Sequence, residues 1–520
     1  MMYLFSGLVR CALLFAASNV LAFAQATNLP TWYAFQHEHV LGTSLEFKFS
    51  ARTADQAAAA EAAALAEIDR LGKILSGYDA TSEFSRWFAT RGEPVRVSPE
   101  LFAVLALFDT WRERTGGALD ASAEVAGRLW KTAAQRQRVP SSEELAAAVA
   151  SAQRSHWRLD AGAGTATHLT DAPLMLNSFA KSYIIDRACT AALAAGHLAT
   201  AVVNLGGDLV VRGAEGDTIA IADPAADAEN DLPLTQITVR DRAVATSGGY
   251  RRGVEIGGHW YSHLVDPRTG LPVDQVQSAT VVAPSATDAG ALATALCVLS
   301  ADEGLRLAAS WRDVECLLLT SDGRRLVSAG WKAFETQPTS TAFPGVHAAA
   351  AKSGGANTAT AAAGGDPAFE VVINLEIANV TGGRARRPYV AVWIEDKDNF
   401  PVRTVALWFK GPRWLPDLRS WYRADQMRAM AEGTQITNSV SSATRGSGKY
   451  TLKWDGKDQF GKPVAPGKYT VMIEAAREHG THQLVHADLD TSGTTQHVNL
   501  PANVELAAIS VDYRRKATAR

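Results

Sequence analysis

Three side chains with complementary chemistry fall within six positions of one stretch, Tyr261-Ser262-His263-Leu264-Val265-Asp266-Pro267-Arg268-Thr269-Gly270-Leu271-Pro272-Val273. The imidazole of His263 can take a proton near neutrality, and Asp266 and Arg268 add a carboxylate and a planar cation. Asp266 to Gly270 has the composition of a tight turn, with Pro267 fixing φ and Gly270 free to take φ > 0. A turn at a strand end is where a rigid scaffold presents polar groups to a ligand. The same five residues equally suit a plain hairpin turn in which Asp266 and Arg268 pair only with each other.

Three further places end an element in small or acidic residues that expose backbone amides: Gly116-Gly117, Gly206-Gly207-Asp208 and Thr246-Ser247-Gly248. Exposed N–H groups of this kind cradle phosphate oxygens. Lys181, at the head of a predicted helix, adds a point charge of the kind phosphate sites use. No single one is specific, because a Gly-Gly-Asp is most often a strand-end turn and a lone lysine a solvated one.

The elements that must position these groups alternate between strand and helix. Glu46 to Ser50 alternates like a strand, and Ala54 to Leu75 places Leu65, Ile68, Leu71 and Leu75 at helical spacing. Pro99 to Arg114 reads as a second helix ended by Thr115-Gly116-Gly117, and Glu143 to Ala152 as a third. Asn177 to Asp186 leads into a helix reaching about Ala195, followed by buried strands at Ala201 to Leu205 and Leu209 to Val211. A strand from Val244 runs into the Ser247-Gly248-Gly249 loop, Ala279 to Ala283 forms another, and Asp288 to Leu299 a small-residue helix. Residues 337–366 turn to Ala, Thr, Ser and Gly with almost nothing to bury, an interdomain linker. Beyond it, six short strands between Phe369 and Tyr513, separated by turns such as Asp455-Gly456 and Pro466-Gly467, suit a β-sandwich, with the tryptophans as packing residues.

A chain of 520 residues with 47% hydrophobic content and a formal charge of −3 accommodates two or three domains and gives no electrostatic reason to bind nucleic acid. The twelve histidines are scattered, without the spacing of a structural zinc site. Residues 1–24 read as a secretory signal with Ala22-Phe23-Ala24 as the cleavage site, an uncleaved anchor being the alternative. No later run has the length of a membrane span. Cys189, Cys297 and Cys316 sit in apolar surroundings and read as buried free thiols.

Taken together, the motifs resemble the ApbE family of FAD:protein FMN transferases over residues 38–335. They are Leu41-Gly42-Thr43, Ser76 to Asp79 with Ser82-Glu83, and Gly116-Gly117-Ala118-Leu119-Asp120. Next come Ala180-Lys181 with Tyr183 and Asp186, and Asn204 to Asp208. Thr246-Ser247-Gly248, His263 to Gly270 and the helix Ala291 to Leu296 complete the set. The resemblance implies an α+β transferase domain over 25–336, followed by an all-β sandwich over 367–520. The implied enzyme cleaves the pyrophosphate of FAD and attaches FMN by a phosphoester to a threonine of an exported target protein. It implies His263 as general base, with Asp266 and Arg268 holding its loop and orienting it. Tyr78 would stack on the flavin and Leu41 and Ala118 to Asp120 would line the FAD site. Lys181, Gly206, Gly207, Asp208, Thr246, Ser247 and Gly248 would surround the phosphates, and Mg2+ would offset their charge.

The chain departs from the family pattern at three places. Met175 stands where an aspartate commonly lies six residues before the lysine, and Ser182 where a glycine follows it. Gly290 stands where the metal aspartate lies four residues before the helix threonine, here Thr294. The metal set expected here is therefore Ser178, Thr294 and, as substitute carboxylate, Asp288. A non-catalytic FAD- or FMN-binding carrier or assembly module for an extracytoplasmic redox system is the alternative function. The C-terminal region resembles exported domains of unknown function found fused to such transferases. Flavin-accepting domains carry Asp-x-x-Ser/Thr-Gly-Ala-Thr, whose last threonine receives FMN. Asn438 to Thr444 is similar to a degenerate form, which makes Thr444 a candidate acceptor on the same chain; a polar loop is the other reading.

Overall fold

The computed structural model describes residues 29–226, 228–250, 252–336, 369–379, 387–409, 412–432, 441–442, 444–477 and 480–516. The signal at 1–24 and the linker at 337–366 lie outside these residues.

The first domain is built on an eight-stranded antiparallel sheet. Its order is Thr31–Val40, Thr43–Ala51, Thr200–Leu205, Asp208–Gly213, Arg242–Gly248, Val276–Ala283, Glu315–Thr320 and Arg325–Val327. Alternate side chains point to opposite faces of a strand, and both faces here are covered. Ala201, Val203, Val210, Ala245, Val281 and Leu318 belong to a core shared with the helices Ala54–Leu75, Ala180–Gly196 and Ala286–Val298. Val202, Val211, Val244, Val282 and Leu317 face a second core closed by a small sheet of Asp217–Ile221, Thr235–Val239 and Glu335–Thr336. Burial on both faces explains why these strands read as continuous apolar runs rather than alternating ones.

The helix from Ala54 to Leu75 spans the predicted residues, because Thr53 caps it from Gln56 N and Ser76 leaves helical geometry. The helix Ala123–Gln135 and the strand Thr31–Val40 escaped the sequence reading. Cys189, Cys297 and Cys316 are buried and free, as expected.

The second domain is a sandwich. A sheet ordered Gly448–Trp454, Phe369–Ile377, Leu506–Arg515 and Gln496–Leu500 packs on one ordered Ser441–Ser442, Pro401–Trp408, Tyr389–Asp396, Lys468–Ala476 and His482–Asp490. It is sheet-rich rather than purely β, because a helix, Arg419–Glu432, lies against the second sheet through Trp421 and Ala424, with Leu418 just before it. The buried carboxylate of Glu474 accepts from Ser420 N and Trp421 N at 2.9 and 2.8 Å. A strand residue thus caps a helix, a tertiary device invisible to local patterning. No helix among the described residues is long and apolar enough to cross a membrane.

Candidate functional site

The Gly-Gly-Asp motif is a two-residue hairpin between adjacent strands, with Gly206 at φ +64° and Gly207 at φ +104°. Both lie in the region that favours glycine. A Cβ at Gly206 would stand 2.5 Å from Thr43 Oγ1, so the absent side chain lets the Leu41-Gly42-Thr43 turn pack against it. Leu41, at φ +48°, points back onto the first helix beside Gly72.

Asp208 projects from the helix-facing side of its strand and accepts from Ser182 Oγ at 2.8 Å, while burial raises its carboxyl above the usual range. Ser182 belongs to the lysine helix Ala180–Gly196, whose second residue is Lys181. Burial lowers the Lys181 pKa, the charge of Arg252 lowers it further, and Asp208 opposes both. Lys181, Asp208 and Arg252 thus lie within one electrostatic neighbourhood.

The threonine helix, Ala286–Val298, closes this group from the other side. Thr294 Oγ1 lies 3.3 Å from Ser178 O and 3.3 Å from Ser247 Oγ. Thr294 thus lies beside the Ser178 carbonyl and the Ser247 hydroxyl. Asp288 does not join them. The helix begins at Ala286, and six residues separate Asp288 from Thr294, which at about 100° per residue puts them on different faces. Its carboxylate accepts from Ser285 Oγ at 2.7 Å as part of the helix cap. The substitute-ligand expectation is corrected on this ground.

His263 follows the strand His259–Ser262 and keeps an exposed edge. Its Nδ1 lies 3.1 Å from the carbonyl of Arg252, to which its backbone N–H also donates at 3.0 Å. With Nδ1–H donating to that carbonyl, the lone pair falls on Nε2. Crowding by protein atoms lowers the His263 pKa, and the Arg252 and Lys131 charges lower it further. Its ring is accordingly neutral, and basic at Nε2, at pH 7.

Asp266 and Arg268 form a closed pair. Arg268 Nε and Nη2 donate to the Asp266 carboxylate at 2.9 and 2.8 Å, and Gly270 N donates to Asp266 O at 2.7 Å. They brace the turn, and the ring of His263 is oriented by the Arg252 carbonyl instead. The turn also abuts Gly117, where a Cβ would meet Arg268 Cγ at 3.5 Å. A cleft of about 600 Å³ between them is lined by Arg112, Gly116, Asp120, Pro267 and Arg268. Ala118 and Leu119 are buried. The Asp120 carboxylate is spent on Ser122 N and Oγ, both at 2.7 Å, and on Arg112 Nε at 3.0 Å. Of these three residues, Asp120 lines that cleft, paired there with Arg112.

Tyr78 is 77% exposed, and its hydroxyl accepts from Asn177 Nδ2 at 2.7 Å, which ties a free aromatic face to the segment leading into the lysine helix. Thr246 lies apart. It pairs with Thr280 at 2.9 Å on the opposite face of the sheet from Ser247, because successive strand residues alternate. Gly248 continues that strand, paired with Ser278, whereas the pairing with the neighbouring strand Asp208–Gly213 ends at Val244. Thr444 is 3% exposed, and its hydroxyl finds no partner among the described residues. An acceptor must present its hydroxyl, and this fold withholds it. Sequence reasoning missed Arg252 and the Asn177 side chain, and it named Ser182 without its bond to Asp208, because these contacts come from the neighbours and not from local pattern.

Residues 41–318 match the ApbE family. The chain belongs to it. Residues 370–508 match the family described as predicted periplasmic protein (DUF2271). The FAD:protein FMN transferase of Treponema pallidum is 31% identical over 314 residues, covering 56% of this chain and 86% of that protein. The enzyme of the same name from Vibrio cholerae is 30% identical, covering 57% of this chain and 92% of its own. Among solved structures, the ApbE protein of Thermotoga maritima aligns with TM-score 0.53 at 28% identity, covering 59% of this chain and all of its own. The apo flavinyl transferase ApbE of Pseudomonas stutzeri aligns with TM-score 0.51 at 25% identity, covering 59% and 97%. The extent of both matches sets the first domain apart as the ApbE unit and the sandwich as an addition to it.

Proposed function

We propose that the protein is an FAD:protein FMN transferase that acts on an exported acceptor. The observation that carries this reading is the placement of His263. Its Nδ1 is held by the Arg252 carbonyl, its Nε2 is free to accept a proton, and Arg252 stands in the neighbourhood of Lys181. A threonine hydroxyl is a weak nucleophile, and a positioned base makes it competent. The acceptor oxygen forms a bond to the phosphorus of the FMN half while the pyrophosphate bond to that phosphorus breaks. The hydroxyl proton passes to His263 Nε2 and AMP leaves. Lys181 stabilises the charge on the phosphate oxygens, and Tyr78 offers a ring face to the isoalloxazine.

Mg2+ is the ion the resemblance implies. Near the expected Thr294 the oxygens at hand are Ser178 O and Ser247 Oγ, both neutral and each bonded to Thr294 Oγ1. Magnesium takes oxygen ligands that usually include one or two carboxylates, and no carboxylate joins this set. The residues present do not fit the ion, and no step is assigned to it.

The buried Thr444 supports an acceptor on a separate protein. The signal-like residues 1–24 and the match of 370–508 to a periplasmic family support action outside the cytoplasm. Intact-mass measurement tests the reading. Incubated with FAD and an acceptor domain bearing Asp-x-x-Ser/Thr-Gly-Ala-Thr, the protein adds one FMN to the acceptor, and His263→Ala slows this by about 10²–10⁴-fold. Tight FAD binding without transfer to any acceptor identifies a carrier instead.

A further inference from the structure

Ser182 and Gly290 fit one another. A Cβ at Gly290 would lie 2.1 Å from Ser182 Oγ and 2.9 Å from Ser182 Cβ, closer than non-bonded atoms approach. Ser182 is fully buried and its hydroxyl is committed to Asp208 at 2.8 Å. Four residues separate Gly290 from Thr294, about one helical turn, so a carboxylate at 290 would lie on the face that carries Thr294. The lysine helix therefore occupies, with Ser182 Oγ, the space such a side chain needs. The Asp208 carboxylate is turned to Ser182 and stands in the field of Lys181, and that of Asp186 is bonded to Thr287. Asp288 serves its own helix cap. Among the described residues no three His, Cys, Asp or Glu side chains cluster as a metal set.

Lys181 heads the same helix one residue before Ser182. We infer that Ser182 and Gly290 close the carboxylate position, so that the flavin phosphates are held without a divalent ion and Lys181 supplies the positive charge there. The inference rests on the proposed transferase reading for its substrate, whereas the closed carboxylate position rests on geometry alone.

Manganese provides the probe, since bound Mn2+ loses its sharp free-ion resonance. The full chain, stripped with EDTA, is titrated with Mn2+ without flavin. The expected result is no bound ion in the wild type or in Gly290→Asp alone, and one ion per chain in Ser182→Gly/Gly290→Asp, where the obstructing hydroxyl is gone. One tightly bound Mn2+ in the wild type overturns the inference. This arm needs no flavin, so it decides the matter whether or not FAD binds. FAD binding, followed by flavin fluorescence, separately tests the transferase reading. Where FAD binds, transfer in EDTA stays within about twofold of that in magnesium, and Lys181→Gln lowers it by at least about tenfold. Loss of transfer in EDTA with FAD still bound also overturns the inference.

Discussion

His263 illustrates how one residue's chemistry is set by its neighbours. An ordinary histidine has a pKa of 6.5, and here crowding and the charges of Arg252 and Lys131 push it lower. With His263 as the proposed base, which works deprotonated, the acid limb of kcat/KM is expected below pH 6.5, with the rate kept through neutrality. Arg252→Gln removes one of those charges and moves the limb upward, by up to about 1 pH unit, in a pH–rate profile. A limb unmoved by the substitution removes Arg252 from the electrostatics of the base. The sign follows from the cation: removing a positive neighbour makes protonation easier.

Among the elements, the Gly206-Gly207 hairpin and the strand ending at Gly248 make opposite demands on residues that look alike in sequence. Gly206→Val introduces a side chain at φ +64° and into contact with Thr43 Oγ1. Backbone strain alone costs about 1–3 kcal/mol, seen as a lowered melting temperature, and displacement of the turn weakens FAD binding with it. Thr246→Val lies on the far face of the sheet, so FAD affinity by fluorescence titration stays within about twofold of wild type. A larger loss would place Thr246 at the ligand after all. Equal motif membership thus predicts equal effects, whereas strand alternation predicts unequal ones.

At the scale of the whole molecule, the two domains meet along an exposed edge. Gly448–Trp454 is the outermost strand of its sheet, and residues 229–231 of the first domain lie against it. Glu229 N donates to Thr451 O at 2.8 Å. Asn230 exchanges bonds with Lys453 N and O at 2.8 and 2.7 Å, and Lys453 Nζ pairs with Asp231 at 3.0 Å. An unpaired strand edge is an aggregation hazard, and this loop satisfies part of it. Asn230→Ala removes two of these bonds, and small-angle scattering of the variant shows a larger radius of gyration as the sandwich loosens. An unchanged profile means that the docking does not depend on Asn230.

The sequence by itself determined many of the elements, though not the helices Ala123–Gln135 and Arg419–Glu432. The helix Ala54–Leu75, the strands Phe369–Ile377 and Gly448–Trp454, the buried thiols and the Asp266 to Gly270 turn follow from periodicity, caps and turn residues, which act within a few positions. The family could be read from motifs for the same reason. Tertiary structure decided what each polar group faces. Asp266 and Arg268 close on each other, Thr246 turns to the far face, and Asp288 caps its helix. Arg252, with no pattern of its own, holds His263 and stands near Lys181. Hydrogen bonds and charges act through space, across separations such as the 108 residues between Ser182 and Gly290. That is why a glycine where an aspartate was expected looked like a simple loss in sequence. In the fold it is the partner of a serine.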